Sequence, residues 1–162
     1  MGLFRKKRKN IWEIKKADEF VIAMNEFVFK KCNYGEIIDI LNAGERIFYI
    51  TQICEQEVNN GGFSQFFYNS SGRFSNEIVQ AFISIGAVKT AKICEKALSA
   101  LGEALPTDDA QRQSVLEAKL NNHKTEAVLE ACDEAFYEYN DDLTALNQAY
   151  IMKHKESFNY QG

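Results

Sequence analysis

The segment from Asn59 to Gly72, NNGGFSQFFYNSSG, constrains the fold more than any other part of this chain. Gly61 and Gly62 permit backbone conformations that are closed to residues with a Cβ atom. Asn59 or Asn60 can supply the side-chain acceptor that caps a following helix. Together these residues predict a tight turn that leads into a short helix.

Aromatic and amide side chains divide this short helix into two faces. Phe63, Phe66 and Phe67 stand at positions i, i+3 and i+4, which places three rings on one face. Gln65 and Asn69 are neighbours on the other face. One interpretation is that the rings fill the core and the amides brace the turn. The alternative is that the amides and exposed rings of this region, the NGGF side, contact a partner.

Apolar residues recur with helical spacing along most of the chain, and strand-like alternation is nowhere sustained. The pattern predicts an all-α fold of about seven to eight helices in one compact domain. Thr107 is expected to cap the helix that follows Pro106. We expect the first helix to begin at Ala17, with the apolar period reaching back to Ile14, and to be closed by Cys32-Asn33-Tyr34-Gly35. The other helices are expected from 37 to the glycine pair, directly after that pair, and at 75–85, 87–101, 108–120, 123–139 and 142–157.

The segment from about Glu45 to Leu98 resembles the bacterial DNA-mimic family whose founding member is called DMP nineteen. The resemblance lies in an acid-rich lead-in, the NGGFSQFFYNSSG sequence and a helix that ends at Ile85-Gly86-Ala87. It implies a compact all-helical protein and, from the founding member, an acidic mimic of duplex DNA that occupies a transcription regulator. The domain is otherwise of unknown function. The motif positions that carry over, as a signature of the fold or as partner contacts, are Asn60, Gly61, Gly62, Phe63, Gln65, Phe66, Phe67, Asn69 and Gly72.

Length and composition fit one domain. With 162 residues and 46% hydrophobic content, the chain can bury one substantial core. We expect a single helical domain over residues 11–160, preceded by a basic and flexible segment over residues 1–10. That segment contains the cations Arg5-Lys6-Lys7-Arg8-Lys9, which are either a solvated terminus or a contact for nucleic acid or an anionic membrane.

Cysteine usage favours a reducing compartment. Cys32, Cys54, Cys94 and Cys132 are spread along the chain without the CxxC pairing of zinc and redox motifs. We interpret them as buried thiols. Because no window is long and apolar enough for a membrane span, we expect a cytoplasmic protein.

Charge is divided unevenly along the chain. Nine basic and four acidic residues up to Lys31 give +5, whereas ten basic and nineteen acidic residues in the remainder give −9. The main acidic feature is an i, i+4 series on one predicted helix. The candidate acidic partner-binding face consists of Glu126, Glu130, Asp133, Glu134, Glu138, Asp141 and Asp142.

The four glutamates of this face form a row whose spacing is comparable to that of neighbouring phosphates along a nucleic-acid strand. Four residues of helix rise about 6 Å, and a nucleic-acid strand rises about 3.4 Å per nucleotide along its axis. Each like-charge pair costs about 0.2–0.5 kcal/mol of helix stability. The row is either a solvated face whose cost the core packing offsets, or a surface for a positively charged partner.

Catalytic motifs are absent from the sequence. His123 and His154 stand outside any zinc-binding spacing, and the Gly61-Gly62 pair lacks the lysine of a phosphate-binding loop. We therefore expect no enzyme activity, no cofactor and no metal site. A noncanonical site built from Glu57 with Gln65 and Asn69 stays open.

Two functions follow from these patterns. The first is a non-enzymatic acidic DNA mimic that occupies a basic or nucleic-acid-binding protein through the glutamate row. The second is a toxin-neutralising or scaffold-type interaction module that uses the NGGF side. We expect no direct binding of nucleic acid except through the basic N-terminus, and a homodimer stays open.

Overall fold

The computed structural model describes residues 10–102 and 104–160, and this part of the chain is all-α, as the periodicity predicts. The basic run from Arg5 to Lys9 lies outside the described residues. Five short 3-10 turns join or flank the helices. The seven α-helices are α1 (Ala17–Lys31), α2 (Ala43–Tyr68), α3 (Ile78–Ile85), α4 (Val88–Leu101), α5 (Asp109–Leu120), α6 (His123–Tyr137) and α7 (Leu143–Lys153).

Helix α2 lies at the centre of the packing, because α1, α3, α5, α6 and α7 all contact it. It begins at a capping box in which Asn42 and Glu45 exchange hydrogen bonds between side chain and backbone. Glu45 is fully buried, and both of its carboxylate oxygens lie 2.7 Å from the ammonium group of Lys31 on α1. This ion pair ties the start of α2 to the end of α1.

The remaining helices pack in pairs around the core. Helices α3 and α4 pack together across a turn at Gly86, whose φ of 88° ends α3 in the left-handed region. Helix α6 packs on both α2 and α4, while α7 packs on α1 and α3. The fully buried aromatic rings of this core belong to Phe48, Phe63, Phe66, Phe67 and Phe82.

Most predicted helices are confirmed, with differences at their ends. Helix α2 begins at Ala43 rather than at 37, because residues 38–40 form a 3-10 turn before the capping box. Asp108, not Thr107, caps α5 by accepting the Gln111 N–H, so the predicted cap was wrong by one residue. The helix expected at 123–139 ends at Tyr137, since Tyr139 adopts a positive φ of 48°.

The last predicted helix, 142–157, is shorter in the structure. Helix α7 ends at Lys153, and a separate 3-10 turn covers Lys155–Ser157. Among the helices of residues 10–102 and 104–160, none is both long and apolar enough to cross a membrane.

Candidate functional site

The glycine pair breaks α2 into two parts. Gly61 has an extended φ of −160°, whereas Gly62 has φ 75° and ψ −179°, a combination that favours glycine. Beyond the break, the backbone N–H of Phe63 donates a hydrogen bond to Asp133 Oδ1 of α6 at 2.7 Å. Asp133 therefore caps the second part of α2, in place of the asparagines Asn59 and Asn60 that the sequence suggested.

Gly62 is also required by the close approach of α6. A Cβ atom on Gly62 would lie 2.3 Å from Asp133 Oδ2, which is shorter than any van der Waals contact. Burial raises the pKa of Asp133, the bond from the Phe63 N–H lowers it, and the nearby charge of Glu130 raises it further. The motif glycine and this carboxylate thus form one structural unit.

The three aromatic rings of the motif lie in the core. Phe63, Phe66 and Phe67 are each 0% exposed. The Phe63 ring stacks on Phe67 at 5.8 Å and meets Phe136 of α6 edge-on at the same centroid distance. These three rings are therefore not available to a partner, whereas the ring of the next residue, Tyr68, is 39% exposed.

Gly72 and the buried Arg112 secure the end of the motif. A Cβ atom on Gly72 would lie 2.1 Å from the Phe67 carbonyl oxygen and 2.5 Å from Arg112 Nε. Arg112 is fully buried and donates to the carbonyl oxygens of Phe67 at 2.7 Å and Asn69 at 2.8 Å. It also pairs with Asp109 at 2.6 Å. Sequence reasoning missed Arg112, because nothing local marks its partners 43 and 45 residues away.

The break folds the second part of α2 back towards Glu57 in the first part. Gln65 Nε2 and Asn69 Nδ2 donate to Glu57 Oε2 at 2.7 and 3.0 Å, and Ser71 Oγ donates to Oε1 at 3.3 Å. In a straight helix, residues eight and twelve positions apart would be separated by about 12 and 18 Å along the axis. The motif amides thus reach Glu57 only because Gly61-Gly62 bends the chain.

A polar groove of about 830 Å³ opens beside this cluster. Residues of helix α1, of both parts of α2 and Thr144 of α7 line it. Its volume falls in the range of ligand sites, about 300–1,000 Å³. We refer to it as the polar groove, and it is lined by Asp18, Val21, Ile22, Asn25, Gln52, Glu55, Gln56, Glu57, Asn59, Asn60, Gln65, Asn69 and Thr144.

A second carboxylate of the polar groove is partly withdrawn from solvent. Burial raises the pKa of Glu55, while hydrogen bonds from Tyr139 and Gln52 lower it. The Tyr139 hydroxyl donates to Glu55 Oε1 at 2.8 Å and accepts from the Asn59 side chain. The groove therefore borders on the segment that follows α6.

Helix α6 presents the glutamate row to solvent. Glu126, Glu130 and Glu134 are exposed on the helix, and Glu138 is exposed at its C-cap. In the part of the chain that the structure describes, the ion pair found on this row joins Glu126 to His123 across 3.5 Å, and it requires a protonated histidine. No lysine or arginine among these residues pairs with the row at up to 4.0 Å.

The three aspartates of the candidate acidic face serve as helix caps. Asp133 caps the second part of α2, as described above. Asp141 Oδ2 accepts the N–H of Thr90 at 2.8 Å and its hydroxyl at 3.1 Å, at the start of α4. Asp142 caps α7 by accepting the Ala145 N–H at 3.0 Å. The structure thus separates an exposed row of glutamates from aspartates that are bound to backbone.

The cysteines and histidines form no site with these features. All four cysteines are free and buried, as predicted, and burial raises the pKa of Cys54 beside Cys94. His123 lies at the start of α6, whereas His154 follows α7 and packs on Tyr150 at 4.7 Å. Within residues 10–102 and 104–160, no three His, Cys, Asp or Glu side chains converge as metal ligands.

Comparison with known proteins identifies the family of the chain. Residues 39–154 match the DMP19-like protein family, and this match extends from the 3-10 turn before α2 to the end of α7. No curated protein and no solved structure matches the chain. Since the matched region covers most of the sequence and contains the whole glycine motif, the chain belongs to the DMP19-like protein family.

Proposed function

We propose that this domain is a non-catalytic mimic of duplex DNA, which occupies the nucleic-acid-binding surface of a basic partner such as a transcription regulator. The observation that carries the proposal is the glutamate row of α6, which is exposed and lacks a lysine or arginine partner among the described residues. Membership of the family named above supports it. The proposed setting is the bacterial cytoplasm, which suits four free, buried thiols.

The geometry of the row supports recognition by cations that normally bind phosphates. Each step of four residues advances about 6 Å along α6 and turns about 40° around it. The carboxylates therefore follow a shallow spiral of about 18 Å from Glu126 to Glu138. A partner surface that is rich in Lys and Arg would meet a carboxylate about every 6 Å along the row. This interval is of the same order as the axial rise of about 3.4 Å between phosphates on one DNA strand.

A second candidate function, a toxin-neutralising or scaffold-type interaction module, would use the polar groove. The observation that favours it is the amide-rich lining, to which the motif residues Asn60, Gln65 and Asn69 contribute. The motif rings take no part, because they are buried. This function also requires no catalytic group.

Affinity capture from a lysate of the native host at low salt tests the first proposal. The row variant carries Gln at Glu126, Glu130, Glu134 and Glu138. The control variant carries Gln at four exposed glutamates elsewhere, Glu36, Glu95, Glu117 and Glu156. Both variants raise the net charge from −4 to 0.

We expect wild type and the control variant to retain a DNA-binding protein that added duplex DNA displaces. The row variant should lose that protein, and wild-type retention should fall steeply as salt is added. Retention of the same protein by the row variant would remove the row from the interface. Equal loss of the protein from the row variant and the control variant would show that net charge, and not the position of the row, causes the loss.

A further inference from the structure

We propose that the polar groove binds the guanidinium group of an arginine side chain presented by a protein partner. This site is separate from the glutamate row, so the inference stands or falls independently of DNA mimicry. It rests on three observations from residues 10–102 and 104–160: carboxylates without a cationic partner there, acceptor positions that these residues leave unused, and an apolar strip beside them.

Among the described residues, the carboxylates of Glu55 and Glu57 in the polar groove have only neutral donors. Glu57 receives its three hydrogen bonds from amides and a hydroxyl, and Glu55 receives its two from Tyr139 and Gln52. Asp18 of α1 adds a third negative charge. No lysine or arginine of the described chain lines the groove. Partly desolvated carboxylates with no opposite charge attract a cation strongly.

Acceptor positions remain unused on these groups. A carboxylate offers about four lone-pair positions. Three are occupied on Glu57 and two on Glu55. Asn25, also in the groove lining, has a solvent-shielded Oδ1 atom that no described residue hydrogen-bonds. The groove therefore has a surplus of acceptors, which fits a ligand made only of donors.

Guanidinium fits this surplus better than ammonium does. It carries five N–H donors in a planar fork and is more weakly hydrated, so it loses less on entering a partly buried site. Val21 and Ile22 of α1 lie in the same groove, and Ile22 is 68% exposed. Such an apolar strip can cover the methylene stem of an arginine whose head reaches the carboxylates.

The glycine break holds this site in place. Glu57 cannot rotate freely, because Gln65 and Asn69 fix Oε2 from one side and Ser71 binds Oε1. A preorganised carboxylate loses less entropy when it binds a cation. The motif amides would then act as positioning residues for Glu57, while their own bonding to the ligand is not required.

Peptide titration followed by NMR of the full-length protein tests the inference. The probe is a blocked Gly-Arg-Gly tripeptide, and the matched ligands carry citrulline or lysine in place of arginine. We expect saturable shifts at the side-chain amides of Gln52 and Asn25, no binding of the citrulline peptide and weaker binding of the lysine peptide. Free arginine should also bind more weakly than the blocked arginine peptide, because its carboxylate is repelled by the groove.

Variants locate the binding. Glu57→Gln should weaken the arginine peptide by about tenfold or more, the loss expected for a charged hydrogen bond. Asp18→Asn removes an exposed charge without disturbing the Glu57 cluster, and it should weaken binding even if Glu57→Gln fails to fold. Glu117→Gln on α5, which removes one exposed charge outside the groove, should bind as wild type does.

Several outcomes would overturn the inference. Equal binding of the citrulline or lysine peptide would remove the guanidinium assignment. Tighter binding of free arginine than of the blocked peptide would remove the protein partner. Absence of any groove shift at about 20 mM arginine peptide, a concentration that reveals even weak sites, would remove the site itself.

Discussion

Gly62 is the residue on which the local structure of the motif depends most. Its φ of 75° and ψ of −179° lie in a region that only glycine adopts without strain, and its missing Cβ leaves space for Asp133. The same conformation turns the chain so that Gln65 and Asn69 reach Glu57. One residue thus links the buried cap of α2 to the polar groove.

Gly62→Ala should lower the free energy of unfolding by about 2–4 kcal/mol, through backbone strain and displacement of the Asp133 cap. Gly61→Ala is the matched control. Gly61 has an extended φ of −160°, and its added Cβ would meet the flexible side chain of Gln65, so a smaller loss is expected. Urea denaturation measures both. Equal losses would show that the conformation of Gly62 contributes nothing special.

At the residue scale, local spacing predicted orientation but not partners. The i, i+3, i+4 spacing placed Phe63, Phe66 and Phe67 together, and they share the core. The partners of the motif come from distant positions: Asp133 lies 70 residues from Phe63, and Arg112 lies 45 from Phe67. Such contacts depend on how the helices pack, which a single sequence does not encode in any local pattern.

At the scale of elements, helix centres followed the apolar period, and helix ends followed individual caps. Helix α1 begins at Ala17, as predicted, and ends just before the predicted stop at Cys32-Asn33-Tyr34-Gly35, and acidic residues at its start and lysines at its end complement the helix dipole. The start of α2 was misplaced, because Ile37 and Ile40 continue the apolar period through a segment that is not α-helical. Both isoleucines are exposed, so their spacing does not mark a helix face that packs on the core.

The exposed face of helix α6 carries an electrostatic cost. Glu130 has like charges at both i−4 and i+4, namely Glu126 and Glu134, and its charge also raises the pKa of Asp133. All three glutamates are solvent-exposed, so their repulsion is screened by salt. The row is therefore a feature that stability alone would not favour.

Glu130→Gln should stabilise the protein by about 0.6–1.5 kcal/mol at low salt, since it removes three like-charge pairs, with Glu126, Asp133 and Glu134. Glu117→Gln on α5 is the control, because Glu117 is exposed and has no charged neighbour three or four positions away. Thermal unfolding at low and high ionic strength measures the difference. A gain that vanishes near 1 M salt, where the Debye length is about 3 Å, identifies repulsion as its cause. A loss of stability would show that Glu130 makes favourable contacts instead.

At the scale of the whole molecule, the chain combines two negatively charged surfaces with a basic run near the start of its sequence. We expect the row of α6 and the polar groove both to attract cations; the row belongs to the part of the chain whose net charge is −9, and the groove takes most of its lining from that part. The groove also takes Asp18 from the more basic part. The run Arg5 to Lys9 supplies five of the nine cations up to Lys31. Long-range attraction of a basic partner should therefore be weakened by this run.

Replacing Arg5, Lys6, Lys7, Arg8 and Lys9 by glutamine changes the net charge from −4 to −9 without altering the length. We expect faster association with a basic partner at low salt, because steering grows with the charge difference. The dissociation rate should change little, since neither the row nor the polar groove is altered. Stopped-flow association with the captured partner, measured across a salt series, separates the two rates.

The matched control places glutamine at five lysines of the helical domain and reaches the same net charge of −9. These lysines are Lys89, Lys92, Lys119, Lys124 and Lys153. If net charge governs steering, both variants accelerate association equally, and the advantage disappears as the Debye length shortens. A larger effect of the N-terminal variant would place Arg5 to Lys9 close to the bound partner. Slower association would mean that the cations from Arg5 to Lys9 help binding. That result would contradict the expectation that the partner is attracted by negative charge alone.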